Sequence, residues 1–204
     1  MSTDAAEFVK EKLVFSLKDI WELEQQTISQ SESSLWKEQR KWRLTASNFY
    51  KVCVRRKDHT KLVSALLSSH SSDLSRIPAI AYGNKYESLV RTQIRSQYPN
   101  SLVRKVGLVT HPAMPHLAAS PDGLIHNGSN TMLLEIKCTF NVDRLELEEL
   151  AERSNFCLVK TEGQWELKRS HRRPPSKKNF TQIVSTAIIS GDLFFIFCRV
   201  CNNK

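Results

Sequence analysis

The sequence Ser-Pro-Asp-Gly at positions 120–123, followed closely by Asn-Gly at 127–128, constrains the fold most strongly. Proline and glycine on either side of Asp122 favour a tight turn, which fixes where the carboxylate points. Asn-Gly is a strong signal for a two-residue hairpin turn. The apolar segments around both turns are short, as strands are. The middle of the chain is therefore predicted to be a hairpin that carries an aspartate at one end of a sheet.

Helical patterns surround this run of strands. The polar segment 28–34 separates the first two helices and supplies a cap for the second, and composition predicts a loop at 68–75. Helices are predicted at 5–27, 35–42, 60–67, 83–98, 142–153 and 180–189, with a further helix that begins at Thr45. Strands are predicted at 102–110, 116–119, 124–125, 132–138, 156–159, 165–168 and 193–200. This pattern predicts a single α/β (α+β) domain over residues 1–204, in which helices flank a central mixed β-sheet.

The charge of the chain favours a polyanionic partner. It has 30 lysines and arginines against 21 aspartates and glutamates, which gives a net charge of +9. Basic residues gather at 37–43, 51–61 and 168–178. Solvated surface explains any one such cluster, whereas three of them beside a candidate catalytic site favour phosphate contact. We expect no membrane segment and no secretion signal, and hence a cytoplasmic or nuclear protein.

The cysteines argue against a disulfide framework. There are five of them, an odd number, and they are widely spaced. Cys198 and Cys201 have the spacing of a zinc or redox pair, but no second pair completes a four-ligand zinc site.

Glu135 and Lys137 lie two residues apart in an apolar segment, so a strand places both side chains on one face. Such a pair is common on solvated strands and means little alone. A hairpin at 127–128 brings Asp122 and Glu135 to the same end of the sheet. Two close carboxylates repel unless a cation lies between them, and oxygen ligands of this kind suit Mg²⁺ or Mn²⁺.

Glu87 is the third candidate carboxylate. It is predicted in the first turns of a helix opened by residues 81–83, where Gly83 would allow a close approach to the strands. The alternative interpretation is a glutamate that interacts with the helix dipole near an N-terminus.

Several motifs in order carry a family resemblance. They are Trp-Lys-Glu-Gln-Arg at 36–40, Arg-Leu-Thr-Ala-Ser at 43–47, Gly-Asn-Lys-Tyr-Glu at 83–87, Ser-Pro-Asp-Gly at 120–123 and Glu-Ile-Lys-Cys at 135–138. With them the chain resembles the phage lambda-type exonuclease family, also called the YqaJ-like viral recombinase family, of the PD-(D/E)XK nucleases. The resemblance implies a restriction-endonuclease-like core. It also implies an N-terminal helical extension at 1–34 and a diverged C-terminal part at 169–204.

The resemblance implies roles by position. Glu87, Asp122, Glu135 and Lys137 would form the catalytic set, with Mg²⁺ or Mn²⁺ held by the three carboxylates and by the backbone carbonyl of Ile136. Lys137 would orient or deprotonate the attacking water and stabilise charge on the phosphate. The DNA-binding residues would be Arg40, Arg43, Ser47 and Gln182.

The resemblance implies a metal-dependent DNA exonuclease that acts on duplex ends in recombination or repair, and a homotrimer. Two alternatives stay open, a catalytically weak relative that binds nucleic acid and an endonuclease on the same fold.

Overall fold

The computed structural model of the protein describes residues 3–13, 15–68, 76–128, 130–138, 140, 147–152 and 158–167. Its helices are α1 (Thr3–Lys12), α2 (Leu17–Gln26), α3 (Ser34–Lys41), α4 (Ala46–Cys53), α5 (His59–Ser68), α6 (Pro78–Gln97) and α7 (Leu147–Glu152), with a short 3-10 helix at Gln30–Glu32. Its strands are β1 (Leu44–Thr45), β2 (Leu102–Arg104), β3 (Val109–Thr110), β4 (Leu117–Ala119), β5 (Gly123–Asn127), β6 (Asn130–Leu134), β7 (Leu158–Thr161) and β8 (Gln164–Leu167). No helix in these ranges is long and apolar enough to cross a membrane.

The strands form two small three-stranded sheets and a separate hairpin. The first sheet has the order β1-β4-β3, with β1 parallel and β3 antiparallel to β4. The second is antiparallel throughout, in the order β2-β5-β6. Strands β7 and β8 pair with each other. The mixed α/β class is confirmed, although the predicted central sheet is divided in two. Residues 120–122 join β4 of the first sheet to β5 of the second.

The main hydrophobic core lies between α6 and the second sheet. Val90 and Ile94 occupy one face of α6 at helical spacing and are fully buried. They pack against buried side chains of the strands and of the segment after β6, namely Val103, Ile125, Leu134 and Ile136. This core supports the end of the sheet where Asp122 and Glu135 lie.

The structure corrects the prediction of one N-terminal helix at 5–27. Helix α1 ends at Lys12, and a new helix begins at Leu17. Ser16 caps α2 reciprocally with Asp19: the Asp19 N–H donates to Ser16 Oγ at 3.2 Å, and the Ser16 N–H donates to Asp19 Oδ2 at 2.9 Å. The apolar period continues across this cap, which is why it predicted a single helix.

The predicted strand at 102–110 is also two strands, one in each sheet. Gly107 lies between them and packs so closely on α2 that a Cβ atom there would be 2.0 Å from the Glu24 carbonyl oxygen. The Gly107 N–H donates to Glu24 Oε1 at 3.1 Å, and the Leu108 N–H donates to Thr27 Oγ1 at 2.8 Å. Because these groups bond to α2, they do not extend the sheet.

Several local predictions are confirmed. Ser33 Oγ accepts the Trp36 N–H at 3.2 Å and caps α3, and helices α4 and α5 begin within a residue of the expected positions. β5 and β6 form the hairpin expected at 127–128. Glu162 and Gly163 both have positive φ, as the tight turn between β7 and β8 requires. The predictions for 180–189 and 193–200, the basic cluster at 168–178 and most of 142–153 lie outside the described residues.

Candidate active site

The turn between β4 and β5 positions Asp122. Gly123 begins β5 where a Cβ atom would be 2.8 Å from the Arg104 carbonyl oxygen, so only glycine lets the two strands pair this closely. Asp122 is held immediately before that contact, with its side chain half-buried. The constraint expected from the Pro-Asp-Gly sequence is therefore present in the structure.

Side chains from three different helical elements of the described structure donate hydrogen bonds to this turn. These bonds are donated by Trp36 Nε1 to the Ser120 hydroxyl at 2.8 Å, by Gln30 Nε2 to the Pro121 carbonyl at 2.9 Å and by Arg91 Nη2 to the Asp122 carbonyl at 3.0 Å. Gln30 has a φ of 50°, a backbone conformation that is unusual for a residue other than glycine, and its side chain also donates to the Val106 carbonyl at 2.7 Å. The sequence did not indicate Gln30 or Arg91. For Arg91, the four-residue spacing from Glu87 was an available signal.

Glu135 and Lys137 follow β6 rather than belonging to it. The strand was predicted to continue through 138, but it ends at Leu134. The Ile136 N–H donates instead to Asp122 Oδ2 at 2.5 Å, so an interaction within the site replaces a sheet hydrogen bond. Glu135 is 2% exposed, and Lys137 Nζ donates to its Oε1 atom. The two side chains are adjacent as expected, in a buried site and not on an open face.

Glu87 reaches the site from the middle of α6. The helix begins at Pro78, five residues before the predicted start, because proline suits the first turn of a helix. The prediction that Glu87 lies in the first turns is therefore wrong. The prediction that Gly83 allows a close approach is also wrong, since a Cβ atom there would meet no atom of the described residues within 4 Å. The Glu87 carboxylate forms an ion pair with Arg91.

The electrostatics show that these groups share one site. Burial raises the pKa of Asp122 well above its usual value, and the nearby carboxylates of Glu135 and Glu87 raise it further. Lys137 and the Ile136 N–H act in the opposite direction but do not offset these effects. The structure thus brings together the four predicted catalytic residues, with an excess of negative charge around Asp122.

The donor set fits a hard divalent cation. Mg²⁺ and Mn²⁺ prefer carboxylate and carbonyl oxygens, which Asp122, Glu135, Glu87 and the Ile136 backbone provide. Neighbouring carboxylates repel each other when they are ionised, and a bound cation reduces this repulsion. Within the described part of the chain, no three acidic, histidine or cysteine side chains already form a tight ligand cluster. Lys137 and Arg91 neutralise two of the carboxylates instead.

Arg40 and Ser47 lie beside this site, on α3 and at the start of α4. Arg40 Nη2 donates to Ser47 Oγ at 3.2 Å, and its guanidinium carbon lies 4.0 Å from the centre of the Trp36 ring. Burial lowers the pKa of Arg40 to about 10. Of the ion pairs among the described residues, none involves Arg40. The same Trp36 donates to Ser120, which connects Arg40 to the turn at 120–123.

Arg43 has different surroundings, which argue against its predicted role in DNA binding. It is 5% exposed, and burial lowers its pKa to about 10. Its guanidinium donates to the carbonyl oxygens of Pro115, Gln39 and Leu13 and to the Gln39 side chain. Because these acceptors occupy the guanidinium, Arg43 joins α3 to the segment before β4 and is not available to a phosphate. Gln182, Cys198 and Cys201 lie outside the described residues, while Cys53 and Cys138 are thiols.

Comparison with known proteins identifies the family. A model of the YqaJ-like viral recombinase domain matches residues 35–158, more than half of the chain. The chain belongs to this family. The matched range of this YqaJ-like chain contains all four predicted catalytic residues as well as Arg40 and Ser47. No match is found among curated proteins.

Solved structures show the fold. The alkaline exonuclease LHK-Exo of Laribacter hongkongensis is similar with a TM-score of 0.59 and 19% identity, over 84% of this chain and 76% of that chain. The structure of LHK-Exo in complex with dAMP gives a TM-score of 0.56 and 19% identity, over 82% and 73%. The YqaJ-like chain therefore has the fold of an alkaline exonuclease, which is of the restriction-endonuclease-like class. Family and fold together support a DNA nuclease.

Proposed function

We propose that this chain is a divalent-metal-dependent deoxyribonuclease that hydrolyses phosphodiester bonds at duplex DNA ends. The observation that carries the proposal is the convergence of Asp122, Glu135, Glu87 and Lys137 around the 120–123 turn, with the pKa of Asp122 raised by burial and by the two other carboxylates. Such crowding of carboxylates is unfavourable in an isolated protein and suits one that binds a cation. The fold of an alkaline exonuclease agrees with this chemistry.

Asp122, Glu135 and the Ile136 carbonyl would hold the metal ion. Glu87, which lies on α6, would contribute the third carboxylate. When bound, Mg²⁺ or Mn²⁺ makes a water molecule a stronger nucleophile and stabilises charge on the phosphate oxygens. The Ile136 N–H fixes one oxygen of Asp122, so the carboxylate needs little reorganisation to act as a ligand. The close packing of Gly123 against the Arg104 carbonyl limits movement of the turn.

Lys137 would act on the water and on the phosphate. It lies beside the buried Glu135 carboxylate, which keeps its ammonium group within the site. In the reaction the water oxygen forms a bond to phosphorus, the bond from phosphorus to the leaving oxygen breaks, and that oxygen takes up a proton. Lys137 would orient the water and stabilise the negative charge that develops on the phosphate.

The preference for DNA ends rests on Arg40 and Ser47. Arg40 is partly removed from water, is stacked on Trp36 and makes no ion pair among the described residues. A cation in such a place gains from an anion, and the first turn of α4 adds N–H groups that also favour one. A terminal phosphate held there would place the adjoining phosphodiester near the catalytic turn through the Trp36–Ser120 link.

The proposed substrate is DNA. LHK-Exo has been solved with dAMP, a deoxynucleotide, which supports DNA as the substrate. The net charge of +9 would attract it. The homotrimer expected from the family resemblance, action in recombination or repair, and a cytoplasmic or nuclear location belong to the same proposal.

A cleavage assay tests the proposal. Wild type, Glu135→Gln and Lys137→Met are incubated with linear duplex, closed circular duplex and single-stranded DNA, each with Mg²⁺ or EDTA. Glu11→Gln, at an exposed glutamate of α1, is the matched control. We expect the wild type and the control to degrade linear duplex only with Mg²⁺, and the two site variants to cleave it far more slowly.

The other outcomes identify the alternatives. Cleavage of closed circles would show an endonuclease. A wild type that binds DNA but is as inactive as both site variants would show a catalytically weak nucleic-acid-binding relative. Full activity in EDTA would contradict metal dependence.

A further inference from the structure

Arg91 is a buried cation that the reaction described above does not use. It lies on α6 one turn after Glu87 and is 8% exposed, between the core residues Val90 and Ile94 in this part of the helix. A buried guanidinium is costly unless its donors are bonded and its charge is paired. The contacts of Arg91 therefore show which groups bond to its donors and pair with its charge.

Those contacts join two of the proposed metal-binding groups. Arg91 Nη2 and Nε donate to the Asp122 carbonyl at 3.0 and 3.3 Å, and Nη2 also pairs with Glu87 Oε1. One guanidinium thus bonds to the backbone of one carboxylate residue and to the side chain of another. Arg91 and Asp122, on the helix and on the turn, lie 31 residues apart in sequence.

The shape of the side chain matters for this arrangement. A guanidinium is planar and presents several N–H donors in fixed directions, so it can hold two acceptors at a set separation. An ammonium group is a point charge that could neutralise Glu87 without fixing the Asp122 backbone as well. The fork of Arg91 can therefore bond to the Asp122 backbone and to the Glu87 carboxylate at the same time.

We propose that Arg91 is a positioning residue that fixes Glu87 relative to Asp122 for metal binding. This inference rests on the proposed function, because it assumes that the two carboxylates share a divalent ion. It differs from a purely structural role in a measurable way. A structural arginine would affect thermal stability alone, whereas a positioning residue sets the affinity for the metal in a protein that stays folded.

Arg95 provides a matched control on the same helix. It lies one turn further along α6, and its Nε donates to the Val103 carbonyl at 3.1 Å without touching a carboxylate of the site. Arg91→Lys and Arg95→Lys make the same chemical change. Only the first alters the link between Glu87 and Asp122.

The test measures Mn²⁺ binding to the full chain without DNA, by the loss of the free-ion electron paramagnetic resonance signal. It also measures cleavage of linear duplex as a function of Mg²⁺ concentration. For Arg91→Lys we expect the dissociation constant for Mn²⁺ to rise about 10- to 100-fold. The Mg²⁺ concentration for half-maximal activity should rise in parallel, and much of kcat should return at saturating Mg²⁺. Arg95→Lys should match the wild type in both measurements.

Three results would overturn the inference. One is unchanged Mn²⁺ affinity in a folded Arg91→Lys protein, and another is an equal loss of affinity in Arg95→Lys. If Arg91→Lys does not fold, Arg91→Gln replaces it, and wild-type Mn²⁺ affinity in that variant also counts against the inference. A wild type that neither binds Mn²⁺ nor cleaves DNA would instead overturn the proposed function, and this inference with it.

Discussion

The two halves of the site contain ionisable groups of opposite charge, Asp122 in one and Arg40 in the other. In each half, burial disfavours the charged form of that group. At the end of the β2-β5-β6 sheet, burial and neighbouring carboxylates raise the pKa of Asp122. Beside the β1-β4-β3 sheet, burial lowers the pKa of Arg40, which has no ion pair among the described residues. A divalent cation would stabilise the first half and a phosphate the second. The turn at 120–123 connects the two halves, because it carries Asp122 and its Ser120 accepts the hydrogen bond from Trp36.

The largest effect should come from a substitution at Lys137, in the half of the site that contains Asp122. It should change the rate of cleavage without changing the affinity for DNA. Lys137→Ala removes a charge that would act on the reacting phosphate, so we expect single-turnover cleavage to slow by about 10²–10³-fold. Duplex affinity, measured by fluorescence anisotropy in Ca²⁺, should stay near the wild-type value because Arg40 is intact. A parallel loss of affinity and cleavage would show that the halves are not separable.

Arg43 tests whether the neighbouring arginine is structural. Arg43→Ala leaves buried carbonyl groups without their donor, and we expect the free energy of unfolding to fall by about 2–3 kcal/mol. The measurement is denaturant unfolding followed by circular dichroism. The folded fraction should retain its affinity for DNA, and a variant of wild-type stability with weakened DNA binding would restore Arg43 to the DNA-binding set.

Arg40 should affect the recognition of DNA ends. Arg40→Ala removes a charged donor to a terminal phosphate, so we expect kcat/KM on 5′-phosphorylated duplex to fall about tenfold or more. On duplex with 5′-hydroxyl ends the loss should be much smaller. Equal losses on both substrates would place Arg40 on the internal backbone and not at the end.

Asp122→Asn should stabilise the metal-free protein. A carboxyl group whose pKa is raised by folding destabilises the native state once pH exceeds its usual value of 3.8, and the penalty is complete above the raised pKa. Asparagine carries no such penalty. In EDTA near neutral pH we therefore expect a melting temperature about 2–4 °C higher than that of the wild type.

Measurements at lower pH and with Mg²⁺ serve as controls for the Asp122→Asn variant. The difference in melting temperature should shrink as pH falls towards 3.8, because both proteins are then uncharged at this position. Saturating Mg²⁺ should reverse the order, since only the wild type gains stability from binding. A wild type that is the more stable protein in EDTA would contradict the raised pKa.

The smallest effect should come from the exposed basic segment at 51–61. Arg56 is exposed, whereas Arg55 and Lys61 already pair with Asp58. If Arg56 contacts a phosphate, Arg56→Ala lowers the slope of log affinity against log salt concentration by about one. An unchanged slope would show that Arg56 does not contact a phosphate, and the proposed DNA contacts would then be limited to the surroundings of Arg40.

Much of the local structure was predictable because its signals lie within a few residues of each other. The cap at Ser33 and the hairpins at 127–128 and 162–163 follow from residue types at fixed spacing. That the four candidate catalytic residues lie together was predicted from the Pro-Asp turn and the Glu-x-Lys spacing, together with the family resemblance. The errors arose where a cap or a close contact interrupts an apolar period, as at Ser16 and Gly107.

The sequence by itself determined which groups this site contains: three carboxylates, a lysine, an arginine and a serine in a fixed order. Only the tertiary structure decided what each group does. Arg40 and Arg43 are three residues apart and chemically identical. Arg40 lies beside Ser47 and makes no ion pair with a described residue, whereas Arg43 is bonded to backbone carbonyls. Arg91 bonds to both Glu87 and Asp122, although Asp122 lies 31 residues further along the chain than Arg91. Burial and pairing arise from contacts between distant segments, and no local pattern in the chain records them.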